Sequence, residues 1–312
     1  MFNPYKGVSF DSQINGVSHA HCFNDTQLGY LDDGGIQYMA LSNYYPSKPW
    51  YPLSEFFTEI PEGAFGSPNA EFVRFTNVSG HVHINGIGST FTAGDENDGS
   101  PHTTWEVCMD NILANMQYID AGGITINHPV WSAMGESLVL EMLDYAPQVL
   151  GIEIYNHSCE VSNGTGYALD LWDSILSTGR RCWGFCVTDH GAQYASQWPW
   201  KGFNVLLCNE DEYDCLRAYR TGAFYSRLQN TPLKFTGINY LGRNVSVTCE
   251  NADTITFITN TGRTEKTGNE ASYRPKNDDI YVRIEATGGT DRIFSNPISV
   301  KNKNIAERII LF

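Results

Sequence analysis

The chain predicts an α/β fold: short apolar strands alternating with helices around a parallel sheet, open or rolled into a barrel, followed by a small antiparallel β region. Three observations predict it. Apolar, β-branched runs recur up to about residue 225, amphipathic helical segments separate several of them, and beyond about residue 230 apolar and polar residues alternate between Gly, Asn and Asp turns. With 312 residues there is room for a main domain over 1–229 and a smaller one over 230–312.

The runs follow in order: GVSHAH (16–21), IQYMALSNY (36–44), VSGHVHING (78–86), GITINHP (123–129), VLGIEIYNH (149–157), RCWGFCVTDH (181–190) and GFNVLLCN (202–209). Several are almost continuously apolar, as strands covered on both faces are. TTWEVCMDNILANMQYIDAGG reads as a helix. Its apolar set Trp105, Cys108, Met109, Ile112, Met116 and Ile119 keeps steps of three or four, Thr103 or Thr104 caps the start, and Gly122 and Gly123 stop it. Further helices are expected at 136–146, 167–178 and 211–221, the last closing at Gly222. TAGDENDGSPHTT (92–104) reads as a surface loop, and the stretches after residue 230 as the strands of a β-sandwich-like appendage.

The formal charge is 20 minus 35, or −15, which repels nucleic acid and anionic membranes alike. The expected partner is therefore a small molecule, and an anionic one must be held locally by a metal ion. No window approaches the ~18 consecutive apolar residues of a membrane span, and MFNPYKGVSFDSQ lacks the basic-then-apolar layout of a secretion signal. Eight cysteines lie mostly inside apolar runs without CxxC pairs, so they read as buried thiols of a reducing, cytoplasmic setting.

His19 and His21 stand two residues apart, which in an extended strand turns both imidazoles to one face. His21, Asn43, His83, His128, Asn156 and Asp189 each lie at or just past the end of an expected strand, where α/β sheets place their chemistry. A single histidine in an apolar run is usually a hydrogen-bonded core residue. Several at equivalent positions, with Glu71, His81 and His190 nearby in the pattern, argue instead for divalent metal of the zinc, manganese or iron type. His102, by contrast, falls in the polar loop.

Taken in order, SHAH, NAEF, HVHINGIG, NHP, GIEIYN and VTDH resemble the motifs of the PHP superfamily, named for polymerase and histidinol phosphatase, over roughly residues 12–225. SNPISV after YVRIE is similar to the small β domain of its carbaryl-hydrolase-like branch. The resemblance implies a distorted (β/α)7 barrel and metal-dependent phosphoester hydrolysis. It further implies that His19, His21 and Asp189 hold one metal, that His83 and His128 hold a second, and that Glu71 bridges them. Asp25 matches an early acid of the family, at a spacing one residue short.

Two departures bear on this. Where the family reads T-D-H after the second strand, this chain has ALSNYYP, so Asn43 and Tyr44 replace an acid and a ligand histidine; Gly191 stands where a final histidine belongs. One or two ions (Mn, Zn or Fe) are thus expected rather than three. His157 and His190 are the candidate proton donors, and Glu153 is expected in the barrel wall or supporting a ligand. Lys48, Lys201, Arg180, Arg181 and Arg227 are candidate contacts to an anion. Three functions fit these residues: hydrolysis of a phosphoester, hydrolysis of a carboxyl, carbamate or amide ester on the same metals, or a barrel that binds a small ligand without turnover.

Overall fold

The run before His19 forms β1 (Ile14–Val17), and the chain continues through α1 (Asp25–Asp33), β2 (Tyr38–Met39) and β3 (Phe65–Gly66). These three strands pair in parallel, Gly16 with Tyr38 and Tyr38 with Phe65. The computed structural model describes residues 2–44, 48–93, 103–194 and 201–301. His102 and parts of the 44–52, 92–104 and 193–202 segments therefore lie outside the described residues.

A second sheet follows, built from β4 (Glu71–Phe72), β5 (Ile84–Ile87), β6 (Gly123–Ile126), β7 (Val149–Asn156) and β8 (Trp183–Val187) in that spatial order. Helices α2 (Trp105–Ala114), α3 (Glu136–Tyr145), α4 (His157–Asn163) and α5 (Leu169–Ser177) intervene. Trp105, Ile112, Val139, Met142, Trp172 and Ile175 from α2, α3 and α5 share one core with Ile124, Ile126 and Ile152 of the sheet. β9 (Phe203–Leu206), α6 (Glu212–Thr221) and β10 (Phe224–Arg227) then return the chain to the first sheet.

All seven expected runs contain a strand, but the sheets are mixed rather than parallel. β5 runs antiparallel to β4 and β6, and β9 runs antiparallel to β1 and β10. The described strands form no closed barrel: no strand ladder joins the two sheets, which meet through the isolated parallel bridges Ala20 with Asp189 and Tyr44 with Glu71 and through side chains such as Ser226, which bonds Gly184 O and Cys186 N of β8. The fold is thus mixed α/β with three sheets, and an unbroken (β/α)7 ladder is not what holds it. α2 is also shorter than its apolar period suggests. Thr104 caps its start, but Met116 leaves the helix to bridge Ser89, and Gln117 N donates to Gly88 O, so Ile119 ends up exposed.

Beyond residue 230 come β11 (Lys234–Leu241), β12 (Asn244–Glu250), β13 (Thr254–Thr259), β14 (Gly262–Thr267), β15 (Glu270–Tyr273), β16 (Tyr281–Gly288), β17 (Asp291–Ser295) and β18 (Ile298–Ser299). β11, β12 and β15 make a separate antiparallel sheet, while β17 pairs with β10, so β14-β13-β16-β17 continue the first sheet. The expected boundary at 229/230 falls between β10 and β11, and one sheet runs across it. Phe235 and Val247 from one sheet pack with Ile255, Phe257 and Ile284 from the other, each such burial contributing ~1.5–3 kcal/mol. Arg283, fully buried, donates to Asp173 of α5 at 2.6 and 2.7 Å and to Glu285 at 2.6 Å, fastening this region to the helical layer. Among the described residues no helix is long and apolar enough to cross a membrane, and all eight cysteines are unpaired, seven of them buried.

Candidate metal centre

The site begins with backbone. Past β1 and β8 the two chains pair for one more step: Asp189 N donates to His19 O at 2.9 Å and His21 N donates to Asp189 O at 3.0 Å. This sets the Asp189 side chain beside the two imidazoles that the strand's two-residue period turns the same way. His19 Nε2 then lies 3.3 Å from His21 Nε2, 3.3 Å from Asp189 Oδ1 and 3.3 Å from Glu71 Oε2. His21 Nε2 lies 3.0 Å from Glu71 Oε2 and 3.4 Å from Asp189 Oδ1. A tetrahedron of ligands at the ~2.0–2.1 Å of zinc–nitrogen bonds has edges of about 3.3–3.4 Å, so these four atoms are spaced as ligands of one ion.

Glu71 turns its other oxygen to a second group. Oε1 is 2.9 Å from His83 Nδ1 and 3.4 Å from His128 Nε2, and it accepts from Asn127 Nδ2 at 2.9 Å. Glu71 N donates to Ser42 O, which holds β4 against the chain leaving β2 and fixes where this carboxylate points. His19, His21 and Asp189 make one buried triad and Glu71, His83 and His128 another; each could hold a metal ion.

Supporting side chains choose the ligand atoms. Glu153 Oε1 accepts from His19 Nδ1 at 2.6 Å, and Ser132 Oγ lies 3.0 Å from His128 Nδ1, so both rings keep Nε2 toward the centre. Glu153 Oε2 also accepts from His128 N at 2.8 Å and from Asn156 Nδ2 at 3.0 Å; Asn156 Nδ2 further donates to Asp189 Oδ2 at 3.0 Å. These bonds hold two strained residues, because His128 (φ 26°) and Asp189 (φ 56°) occupy the left-handed side of backbone space, which non-glycine residues enter at a cost of ~1–3 kcal/mol.

Charge points the same way. Burial alone would lower the His19 pKa, yet Asp189, Glu71 and Glu153 around it carry it well above the usual range, and His21 is raised against burial by Asp189 and Glu71. Burial alone would raise Glu71 and Asp189, yet the imidazoles, His19 foremost, hold both well below the usual carboxylate range. Asp189 Oδ1 is buried and accepts no hydrogen bond of good geometry; it faces imidazole nitrogens at 3.3 and 3.4 Å. A buried carboxylate oxygen aimed at two ring nitrogens is a donor set that fits a divalent cation.

A cavity of about 350 Å³ opens over this centre, lined among others by Tyr44, His83, His128, Trp131, Asp189 and His190. His190 and Tyr44 both stack on the His21 ring at 4.2 Å between centroids, and the Tyr44 hydroxyl lies 3.0 Å from His190 Nε2. Asn43 is no ligand. It clamps the loop after His21, accepting from Cys22 N at 2.8 Å and donating to Cys22 O at 2.7 Å.

Asp25 must be corrected: the structure does not bring it to the centre. It opens α1 at the surface and accepts from Thr58 Oγ1 at 2.7 Å and from the Thr58 and Glu59 amides. His157 opens α4 and is buried, with Tyr155 Oη 3.2 Å from Nδ1, and burial, then Lys201, pushes its pKa down to about 4. His81 is exposed, its ring against Trp131. Lys48 pairs with Glu55, Arg180 with Asp144 and Arg227 with Asp291, while Arg181 binds the carbonyls of Pro147 and Val149. Trp131 and Ser132 went unforeseen, although they follow the expected NHP motif closely, as did the part played by Asn127 inside that motif.

No protein-family model matches this chain, and no curated protein matches it either. Fold and site together describe a mixed α/β protein with two buried His/Asp/Glu clusters suited to metal ions.

Proposed function

We propose that the protein is a metal-dependent hydrolase of a small-molecule phosphoester, of the PHP kind that its motifs resemble. One observation carries the reading: Glu71 divides its two oxygens between two histidine-rich groups, 3.0 Å from His21 on one side and 2.9 Å from His83 on the other. His19, His21, Asp189 and Glu71 would hold one ion, and Glu71, His83 and His128 the other. Divalent ions there supply a water acidified toward neutral pH and offset the charge that grows on phosphoryl oxygens.

The chain's own residues aim and move protons. Gln193 Oε1 accepts from His190 Nδ1 at 2.6 Å, which leaves Nε2 as the acceptor facing the cavity. Burial, and then His21, lower the His190 pKa, so Nε2 is open to a proton at neutral pH. It takes the proton of the attacking water and passes it to the leaving oxygen. His157 does not line the cavity and is left out of this path.

A carboxyl, carbamate or amide ester is the second reading, favoured by cavity walls of Trp131, Val161 and Tyr194 with no Lys or Arg among the described lining residues. The test is a panel of aryl phosphates and aryl esters with protein loaded with Mn²⁺, Fe²⁺ or Zn²⁺. Turnover of phosphates, lost in Asp189→Asn, supports the first reading, and turnover of esters alone supports the second. Metal binding without any turnover would leave a ligand-binding protein and overturn both.

A further inference from the structure

We propose that the Tyr44 hydroxyl is a substrate-binding donor of this cavity, turning from His190 to an oxygen of a bound oxyanion such as a phosphoryl group. The proposal rests on the reading of the cavity as the site of hydrolysis.

Most polar groups that line the cavity already have fixed duties. His83, His128 and Asp189 belong to the ligand groups, Ser158 Oγ donates to Thr188 O at 3.1 Å, and Ser162 Oγ donates to Cys159 O at 3.3 Å. Tyr44 differs. Because His190 Nδ1 is committed to Gln193 Oε1, Nε2 accepts, and the Tyr44 hydroxyl is the donor in the 3.0 Å contact between them. The acceptor in that contact is thus another cavity side chain. An O–H rotates about its C–O bond while the ring stays still, so this proton can be redirected without repacking.

The ring itself is set against the centre. It stacks on His21 at 4.2 Å and 26°, its main chain bridges Glu71, and the preceding Asn43 is clamped to Cys22. The hydroxyl is therefore carried by the same residues that place the ligand atoms. With no Lys or Arg among the described lining residues, a donor here supplies polarity that an oxyanion otherwise finds in a cation.

The test compares wild type with Tyr44→Phe, which keeps the ring and its stack. Calorimetric binding of inorganic phosphate to the Mn²⁺-loaded proteins is expected to weaken about 10-fold or more in the variant, with metal content unchanged. In turnover, kcat/KM for an aryl phosphate is expected to fall about 10-fold or more, with a rise in KM carrying part of the loss. Phosphate affinity equal in the two proteins overturns the proposal, as does failure of wild type to bind phosphate or loss of metal from the variant. The two readings fail separately: phosphate binding that depends on Tyr44 in a protein with no turnover sinks the hydrolase, whereas turnover and phosphate binding indifferent to Tyr44→Phe sink only this role.

Discussion

Replacing Glu153 by glutamine changes a carboxylate for an amide at almost constant volume, and the structure says what that does. Glu153 receives three hydrogen bonds: His19 Nδ1 at 2.6 Å, His128 N at 2.8 Å and Asn156 Nδ2 at 3.0 Å. Bonds to a charged acceptor contribute about 1.5–3 kcal/mol each and neutral ones about 0.5–1.5, so each weakens by roughly 1 kcal/mol. Glutamine also has only one oxygen. If that oxygen keeps His128 N and Asn156, the amide NH2 meets His19 Nδ1 and drives the ring proton to Nε2, the atom needed as ligand. If it keeps His19 instead, two donors lose their acceptor, one of them the amide of the strained His128. Either way metal affinity at the His19 group should fall about 10- to 100-fold, or ~1.4–2.7 kcal/mol. Competition against a chelator of known affinity for Mn²⁺ or Zn²⁺ measures this, with circular dichroism to check the fold. A folded Glu153→Gln protein whose affinity matches wild type would refute the view that Glu153 sets the His19 tautomer.

Metal and protons should compete at the same nitrogens. His19 and His21 both have raised pKa values, so the free centre holds protons there to higher pH than ordinary imidazoles do, and metal uptake must expel them; affinity then falls as pH falls. Titration of Mn²⁺ in two buffers of different ionisation enthalpy should reveal release of about one proton or more, and heats that do not depend on the buffer would contradict it. Asn43→Ala strips two buried backbone groups of Cys22 of their partner, so stability should drop by about 2–4 kcal/mol in chemical denaturation while both ions still bind; an unchanged midpoint counts against the clamp.

Candidate ligands such as His21, His83, His128 and Asp189 were legible in the sequence because strand ends carry chemistry and two-residue spacing fixes a face; their division into groups was what the motif resemblance implied, and His19, His21 and Asp189 meet, as do Glu71, His83 and His128. Strand direction was not legible, since apolar runs read alike whichever way they run, and β5 and β9 are antiparallel. Asp25 misled because local spacing hides that Asn24 caps a helix there, which turns the carboxylate to Thr58. α1 and α4 are short and polar, and no long apolar period announces them. Asn127, Ser132 and Trp131 are ordinary residues whose roles exist only once distant strands meet. Glu153 was within reach because an acid inside an apolar strand demands a partner, and His19 is that partner.

The most direct measurement is the metal content of Mn²⁺- or Zn²⁺-reconstituted wild type and Glu71→Gln by elemental analysis. Because the Glu71 carboxylate faces His21 with one oxygen and His83 with the other, wild type is predicted to hold two ions per chain and the variant to lose affinity at both positions together. Wild type that retains no metal, or a Glu71→Gln protein that retains both ions as tightly, contradicts the account.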